Sequence, residues 1–436
     1  MSGTIYASSS GQPPAAIAVV RISGPAAGEA LCALAGRMPT PRRASLRTLT
    51  DPATGAPLDQ ALTLWFPGPA TATGEDMAEL HLHGGRAVVA AVLAALAHVP
   101  GLRAAEAGEF TRRAFANGRI DLAEAEGLAD LLAAETESQR VAALAAASGH
   151  VSRRVAAWQG EILTLAAEVE ALLDFGDEDD VAGHAAAVLP LCSRCRACAD
   201  TMRIWLARPA AERIRDGLSV VVAGPPNAGK STLINALAQR EAAIVAPTAG
   251  TTRDIVEVPL QLDGIAMRFA DTAGLRRTTG DAIEAIGIER ARQAIDMADI
   301  LLWLGAIDDA PDHPHRLTIA AQADRFAGDA GWAATAARAD LILSAHSGAG
   351  MTDLHAQVVQ IARTLIPHAG EAALHARQRA ALAEAADWLA QDEQDGDLVL
   401  LAERLRLARV ALDRITGRAG VEDMLDTLFG RFCIGK

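Results

Sequence analysis

The spacing of apolar residues changes along the chain, and its first third has the texture of a mixed α+β domain. Short apolar runs bounded by glycine and proline cover residues 16–22, 61–66 and 78–82, a pattern typical of strands separated by turns. Helical spacing follows these runs at residues 26–35 and 86–97. The pattern predicts an α+β N-terminal domain over residues 1–118.

Alanine-rich helical spacing begins near residue 121 and returns at the end of the chain. A first apolar stripe steps by three and four residues through Val151, Val155, Trp158, Ile162, Leu165, Val169 and Leu172. A second stripe runs through Leu401, Leu405, Ala408, Leu412 and Ile415. Two long amphipathic helices of this kind are expected to pack in one bundle, formed by residues 119–215 and 369–436.

Residues 216–368 lie between these helical stretches and alternate apolar runs with helical segments and glycine-rich turns. This alternation is typical of βαβ units in a doubly wound sheet. The predicted strands cover residues 218–223, 265–270, 300–304, 317–321 and 341–344. The predicted fold is therefore an α/β domain inserted into an α-helical bundle domain and preceded by the α+β domain.

The length of 436 residues predicts roughly three domains, and the composition is that of a globular protein. Half of the 436 residues are apolar, and no uncharged apolar run is long enough to predict a membrane span. The first residues lack the pattern of a secretory signal, and five cysteines in so long a chain favour reduced thiols in the cytoplasm. A net charge of −14 argues against nonspecific coating of nucleic acid, and solvated helix faces are the simpler explanation of the arginines at 112–119 and 404–418.

The segment from Gly224 to Ser231 reads Gly-Pro-Pro-Asn-Ala-Gly-Lys-Ser and matches the P-loop pattern, between a predicted strand and a predicted helix. Glycines allow backbone N–H groups to close around phosphate, while Lys230 reaches the β and γ oxygens and Ser231 reaches Mg²⁺. The predicted nucleotide contacts in this segment are Asn227, Ala228, Gly229, Lys230, Ser231 and Thr232.

Further motifs, in GTPase order and spacing, indicate that the nucleotide is GTP. Asp271-Thr272-Ala273-Gly274 follows a predicted strand, with the carboxylate near Mg²⁺ and the glycine amide facing the γ-phosphate. Thr251 and Thr252 supply a switch threonine for Mg²⁺. Ser344 and Ala345 end a later strand, where GTPases place a loop beneath the guanine.

The guanine-reading motif departs from the usual Asn-Lys-x-Asp and reads Ala321-Gln322-Ala323-Asp324. Asp324 can still accept two hydrogen bonds from guanine N1 and N2. Loss of the asparagine and the lysine predicts weak GTP affinity with the guanine preference kept.

Motifs spread over nearly the whole chain resemble the MnmE (TrmE) family of tRNA modification GTPases. The resemblance rests on Val20-Arg21-Ile22-Ser23-Gly24, His83-Gly84-Gly85, the segments 108–115, 117–122 and 125–127, the GTPase motifs, and Phe432-Cys433-Ile434-Gly435-Lys436.

The position that holds a water-orienting glutamine in most small GTPases is Leu275, which cannot take this role. A monovalent cation is a physical candidate for the missing charge. The resemblance implies K⁺ held by Asn227, Thr251 and the backbone of Ala246 and Thr248, and a water-positioning carboxylate at Glu284. Taken without the family, Glu284 would be read as a solvated carboxylate.

For the N-terminal domain the resemblance implies a folate-binding-like fold that binds 5-formyl- or methylene-tetrahydrofolate. The implied ligands are Arg21, Glu79, Arg119 and Lys436, with Cys433 close to the folate as a catalytic candidate. The plainer interpretations are a strand glutamate, surface arginines and an inert thiol.

Cys192, Cys195 and Cys198 have the spacing C-x₂-C-x₂-C, but position 202 is methionine and no histidine lies nearby. The missing fourth ligand disfavours an iron–sulfur site. His81 and His83 alternate along a predicted strand, and structural roles are the simpler expectation.

The resemblance implies a homodimer that works with a FAD-dependent partner of the MnmG (GidA) type, as a heterotetramer, on C5 of the tRNA wobble uridine. GTP hydrolysis would then drive opening and closing of the G domains. The alternative is a GTP-switched RNA-binding or ribosome-assembly protein without modification chemistry, which shares every G-domain motif but has no use for a folate site. A P-loop ATPase is disfavoured by Asp271 and Asp324.

Overall fold

The computed structural model describes all residues except 1–2, 175–180, 241, 244–256, 273–280, 369–370, 392–396, 420–424, 426–427, 431 and 436, and the side chains of 181–187, 242–243 and 281–288. The chain forms two compact units, one made of residues 1–129 and 413–436 and the other of residues 130–412. Within the described ranges, no helix is both long and apolar enough to cross a membrane.

A six-stranded sheet forms the centre of the first unit. Its strands are β1 (Thr4–Ser8), β2 (Ile17–Ser23), β3 (Ser45–Thr50), β4 (Pro57–Phe66), β5 (Met77–His83) and β6 (Leu102–Ala104). They lie in the order β3-β4-β5-β2-β1-β6, antiparallel except for the β1–β6 pair. Val20, Ile22, Leu80 and Leu82 are buried on one face, so the period-two pattern of β2 and β5 places Arg21 and Glu79 on the other.

Four helices accompany this sheet along the chain. They are α1 (Ala27–Ala35), α2 (Arg86–Ala97), α3 (Glu109–Ala116) and α4 (Leu122–Ala133), the last of which continues beyond the first unit. Leu31 and Leu34 of α1 and Val92 and Leu96 of α2 are fully buried in the core that the sheet forms. The apolar faces of α1 and α2 therefore pack on the apolar face of the sheet.

The helices of the second unit lie before, within and after an α/β sheet in the chain. They are α5 (Glu137–Ala147), α6 (His150–Asp174), α7 (Val181–Leu206), α8 (Ala211–Arg215), α9 (Lys230–Arg240), α10 (Asp281–Asp296), α11 (Ala323–Phe326), α12 (Ala330–Ala336), α13 (Met351–Leu365), α14 (Ala376–Ala390) and α15 (Leu398–Thr416), the last of which ends in the first unit.

The sheet of the second unit has seven strands. They are β7 (Leu218–Ala223), β8 (Ala242–Ala243), β9 (Glu257–Leu262), β10 (Ile265–Asp271), β11 (Ile300–Trp303), β12 (Arg316–Ala320) and β13 (Leu341–Ile342). The order is β13-β12-β11-β7-β10-β9-β8, parallel from β13 to β10 and antiparallel at β9 and β8. The carboxyl ends of the parallel strands share one edge, which is where ligands bind in open α/β sheets.

The chain enters and leaves this α/β region side by side. Ala210, before the region, pairs with Leu374, after it, through an isolated parallel bridge. Arg379 of α14 donates to the main-chain oxygens of Arg208 and Leu206, at 3.0 and 2.5 Å. Helix α14 also packs along α7, so helical segments from both sides of the α/β region contact each other.

The strand and helix expectations are confirmed in their main elements. The predicted strand at 218–223 is β7 and the predicted helix at 86–97 is α2, residue for residue, and the α6 stripe is buried from Val151 to Val169. Strands β11 and β13 end earlier than expected, at Trp303 and Ile342. Strands β1, β3, β6, β8 and β9 were not predicted.

Candidate functional site

The P-loop connects β7 to α9 and is shaped by two glycines with positive φ, Gly224 and Gly229. Gly224 has φ 145°, and a Cβ there would lie 2.4 Å from the main-chain oxygen of Leu304. Lys230, the first residue of α9, is 5% exposed, and its Nζ donates to the main-chain oxygens of Gly224 at 3.0 Å and Pro225 at 2.8 Å. The amine is thus held inside the curve of the loop. The N-terminus of α9 begins there, and a helix N-terminus favours binding of a phosphate.

Ser231 and Asp271 meet at the same edge of the sheet. The Ser231 hydroxyl donates to a carboxylate oxygen of Asp271, which ends β10. Hydroxyl and carboxylate oxygens are the hard donors that Mg²⁺ prefers. Thr272 is buried and bonds through its amide and its hydroxyl to the main-chain oxygen of Val222, at 3.2 and 3.3 Å, which fixes the start of this loop.

The structure brings together the loop after β13, which carries Ser344, and the loop after β12, which carries Asp324 and is here called the guanine-side loop because of its predicted base contact. The Ser344 hydroxyl donates to Asp324 at 2.5 Å, and this bond lowers the pKa of the Asp324 carboxyl. Ser344 itself is buried, and Ala345 packs against the core of the sheet. Asp324 is therefore an ionised acceptor at neutral pH, held by the loop that follows β13.

A contact that the sequence did not predict joins the guanine-side loop to the P-loop. The Gln322 amide Nε2 donates to the main-chain oxygen of Asn227 at 2.8 Å. Beside it, the Trp332 indole donates to the main-chain oxygen of Ala321 at 2.8 Å. The only sequence signal was a side-chain donor at the position of the usual lysine.

Several predicted contacts lie outside the described residues. They are Thr251, Thr252, Ala273 and Gly274 at the phosphates, Ala246 and Thr248 at K⁺, the side chain of Glu284, and Lys436. Thr232 lies in the exposed first turn of α9. These positions stay predictions.

In the first unit, two of the predicted folate ligands line one cavity. Arg21, Arg119, Phe110 and residues 71–73 are among those that line a cavity of about 450 Å³, whereas Glu79 lies beside it. One carboxylate oxygen of Glu79 accepts two hydrogen bonds from the Arg21 guanidinium group, at 2.9 and 3.0 Å. The other oxygen lies 3.2 Å from His81 Nε2. The Arg119 Nε donates to the main-chain oxygen of Thr71 at 3.1 Å, so this arginine also shapes the wall.

Arg113 corrects the expectation that the arginines at 112–119 are solvated. Its side chain is fully buried and donates to Glu109 at 2.9 Å and to Glu75 at 3.0 Å. Although burial favours the neutral acid, hydrogen bonds from Arg103, the Glu106 amide and Arg113 outweigh it and hold the pKa of Glu109 at about 2. The network fixes α3, which carries Phe110 and Thr111 to the cavity, and sequence reasoning missed it because charged residues are rarely buried.

The segment around Cys433 is built into the first unit. Ile434 pairs with Ala107 through an antiparallel bridge, and the Ser9 hydroxyl donates to the main-chain oxygen of Gly435 at 2.8 Å. Gly435 has φ 98°, and a Cβ there would lie 2.1 Å from the oxygen of Ser8. The Cys433 thiol is exposed.

The helical cysteines show the properties of structural thiols. Cys195 and Cys198 are buried in α7, and burial together with Glu161 raises the pKa of Cys198 to about 12. Across the described part of the chain, no group of three His, Cys, Asp or Glu side chains could hold a metal ion.

Comparison with known proteins adds two family profiles. Residues 4–119 match the profile described as "GTP-binding protein TrmE N-terminus", and residues 122–433 match the profile described as "MnmE helical domain".

Curated proteins match over almost the full chain. The tRNA modification GTPase MnmE of Sphingopyxis alaskensis is 70% identical over 96% of this chain and 100% of its own length. The protein of the same name from Rhizorhabdus wittichii is 61% identical over 100% of this chain and 97% of its own. Among solved structures, the G domain of the T. maritima FeoB iron transporter covers 33% of this chain and 98% of its own at 20% identity, with a TM-score of 0.24.

Proposed function

Because the chain belongs to the MnmE family of tRNA modification GTPases, we propose that it hydrolyses GTP at the P-loop and helps to modify C5 of the tRNA wobble uridine. The modification step would use a one-carbon tetrahydrofolate and a FAD-dependent partner of the MnmG (GidA) type. One observation carries the GTP half of the proposal: Lys230, Ser231, Asp271 and Asp324 lie at the carboxyl edge of one sheet, with bonds that orient each of them. Each of these bonds holds a side chain at the edge of the sheet where the proposed GTP site lies.

In this proposal the P-loop residues divide the work on the phosphates. Asn227, Ala228, Gly229 and Thr232 would contact phosphate, and Lys230 would balance the charge of the β and γ oxygens. Ser231 and Thr252 would hold Mg²⁺, with Asp271 just outside the direct ligands. Mg²⁺ supplies charge neutralisation on the transferred phosphoryl group when bound.

Potassium is the proposed substitute for the glutamine that Leu275 replaces. The Asn227 side chain would bind K⁺ with Thr251 and the main chain of Ala246 and Thr248, and Glu284 would position the attacking water. Asn227 has a left-handed backbone, at φ 61°, which asparagine adopts more readily than most residues and which sets the direction in which its side chain leaves the P-loop. K⁺ supplies positive charge near the leaving phosphate when bound.

The domain arrangement that we propose follows the sequence boundaries. Residues 216–368 would be a GTPase domain inserted into a helical domain made of residues 119–215 and 369–436, after a folate-binding-like domain over residues 1–118. The Ala210–Leu374 bridge supports the insertion, because it places the entry and exit of the α/β region side by side.

The cavity of the first unit supports the folate half of the proposal. The guanidinium group of Arg119 would bind the glutamate tail of the folate. Glu79, which Arg21 holds at 2.9 Å beside the cavity, would accept the donor edge of the pterin at the other end of the molecule. Phe110, whose ring centroid lies 5.9 Å from Arg21 Cζ, supplies an apolar wall. The folate supplies the one-carbon unit when bound, and Cys433 and Lys436 would approach it. A GTP-switched assembly protein would have no use for such a cavity.

Dimerisation would allow two GTPase domains to meet, and hydrolysis would then drive their opening and closing. The first test is GTP turnover in K⁺ buffer against matched Na⁺ buffer, with Asn227→Ala beside the wild type. We expect stimulation by K⁺ in the wild type alone. Equal rates of the wild type in both salts would remove K⁺ from the proposal.

The folate site needs its own test. We expect 5-formyltetrahydrofolate to bind the full chain in calorimetry and Arg21→Ala to lose most of that affinity. Arg37→Ala, an exposed arginine of the same unit, is the matched control and should bind like the wild type. Equal affinity of Arg21→Ala and Arg37→Ala would contradict the assignment of the cavity.

A further inference from the structure

We propose that Gln322 is a positioning residue of the GTP site, which holds the P-loop in its working shape through Asn227. The Gln322 amide Nε2 donates to the main-chain oxygen of Asn227 at 2.8 Å, between residues 95 positions apart in the chain. The inference deepens the proposed function and rests on it, because Asn227 is the residue proposed to bind K⁺.

Both partners of this bond have a backbone conformation that L-residues rarely adopt. The φ angle is 61° at Asn227 and 59° at Gln322. Asparagine tolerates the left-handed region better than most residues, whereas at glutamine this conformation costs free energy and persists only where the surroundings hold it. Because the bond joins the two positions directly, each conformation helps to maintain the other.

The P-loop is also shaped to admit the Gln322 side chain. That side chain lies beside Gly229, where a Cβ would come within 3.1 Å of Nε2 and 3.6 Å of Cγ. Asn227 and Gly229 flank Ala228 immediately before Lys230, so the contact is made at the stretch that faces phosphate.

On its other side, Gln322 is part of the guanine-side loop. Its main-chain oxygen accepts the amides of Arg325 and Phe326, at 2.9 and 3.1 Å, at the start of α11. Asp324, two residues after Gln322, is held by Ser344. The side chain therefore links the base-recognising carboxylate to Asn227 through one rigid turn.

The consequence is a coupling between nucleotide binding and the cation site. The bond fixes the orientation of the peptide group that follows Asn227. It thereby also fixes the direction in which the Asn227 side chain leaves the backbone. Without the bond, the loop becomes ordered only when K⁺ and GTP bind. The free-energy cost of that ordering lowers the affinity for both ligands. Gln322 thus supplies a donor to the P-loop at the position of the usual lysine.

The test compares Gln322→Ala, Gln322→Lys and Gln322→Glu in the full chain, with GTP turnover measured against K⁺ concentration. For Gln322→Ala we expect the half-activating K⁺ concentration to rise about 3- to 10-fold, the size of one neutral hydrogen bond, with kcat at saturating K⁺ retained. Lysine offers a donor and should restore the wild-type curve. Glutamate places a carboxylate against the carbonyl of Asn227 and should be worse than alanine.

Gln293→Ala removes an exposed glutamine amide elsewhere in the same unit and is the matched control. Rescue by lysine separates a local contact from general destabilisation, which lysine would not repair. Superimposable K⁺ curves for wild type and Gln322→Ala would overturn the inference. If the wild type shows no K⁺ response at all, the proposed cation site is removed, and GDP affinity then tests the contact instead. GDP affinities that decrease in the order wild type, Gln322→Ala, Gln322→Glu support the contact. Equal GDP affinities overturn it.

Discussion

At the scale of single residues, Asp324 is the side chain that we propose selects guanine over adenine. Its carboxylate can accept two hydrogen bonds from the N1 and N2 groups of guanine, and adenine offers no such pair. The Ser344 hydroxyl lowers the pKa of the Asp324 carboxyl, so the acceptor stays ionised at and below neutral pH. Guanine preference should therefore survive mild acidification.

Asp324→Asn should change the preferred base. The asparagine amide donates where the carboxylate accepted, which penalises the guanine amino group and suits the C2 carbonyl of xanthine. We expect GTP affinity to fall about ten-fold and XTP affinity to rise, in competition against a fluorescent guanine nucleotide.

Asp329→Asn is the matched control for this substitution. Asp329 caps α12 by accepting the Trp332 amide at 2.8 Å, and asparagine caps a helix equally well. An unchanged preference for GTP over XTP in Asp324→Asn would contradict the role of Asp324.

At the scale of elements, a buried network of charged residues anchors α3, which lines the cavity proposed to bind folate. Glu109 and Arg113 lie one helical turn apart in α3, and Glu75 belongs to the loop that leads into β5. The pKa of Glu109 is lowered from 4.5 to about 2. A carboxyl whose pKa is lower in the folded state stabilises the fold above its unfolded pKa and loses that contribution as the pH falls.

Glu109→Gln should therefore flatten the acid limb of the stability curve. Between about pH 5 and pH 2, we expect the free energy of unfolding to fall further in the wild type than in the variant, and the difference should be on the order of 2 kcal/mol. Urea unfolding followed across this pH range measures both. Glu137→Gln removes an exposed pair with Arg140 and should stay much closer to the wild-type slope, because solvent screens that pair. An equal acid response of Glu109→Gln and wild type would refute the network.

The segment at Cys433 is held by backbone geometry, and this gives a second prediction at this scale. Gly435→Ala places a methyl group against the Ser8 oxygen at φ 98° and should free residues 432–435 from Ala107 and Ser9. We expect their amide hydrogen exchange to quicken about ten-fold or more. Gly36→Ala has a similar φ of 76° but nothing within 4 Å, so it tests strain without a clash. Protection equal to wild type in Gly435→Ala would show that the clash does not decide the docking.

Sequence patterns predicted the elements whose side chains repeat regularly and missed those defined by distant partners. The α6 stripe and β7 carry their own period, so the order of their apolar residues is enough to predict them. Strand β1 is five residues long and almost wholly buried, and β6 has three residues, so neither shows an alternation. These segments become strands through the neighbours with which they pair.

The candidate sites divide in the same way. Lys230, Ser231 and Asp271 belong to local motifs, and the sequence predicted them because their chemistry requires neighbouring residues. Arg113 with Glu75, and Gln322 with Asn227, are pairs brought together only by the fold. The sequence showed that the usual lysine was missing but not what takes its place.

At the scale of the whole molecule, the two candidate chemistries belong to different compact units. Lys230 lies in the unit of residues 130–412, whereas Arg21 and Glu79 lie in the unit of residues 1–129 and 413–436. The residues proposed for GTP hydrolysis and those proposed for one-carbon chemistry can therefore be substituted independently. The proposed function requires both in one chain.

The most direct measurement is the content of C5-modified wobble uridine in tRNA from cells that lack the gene, after return of the wild type, Lys230→Ala or Arg21→Ala. We predict that the wild type restores the modified nucleoside, as seen by mass spectrometry, and that neither variant does. Arg37→Ala should restore it fully. Full restoration by Lys230→Ala or by Arg21→Ala would contradict the account, because one of its two sites would then be dispensable for the modification.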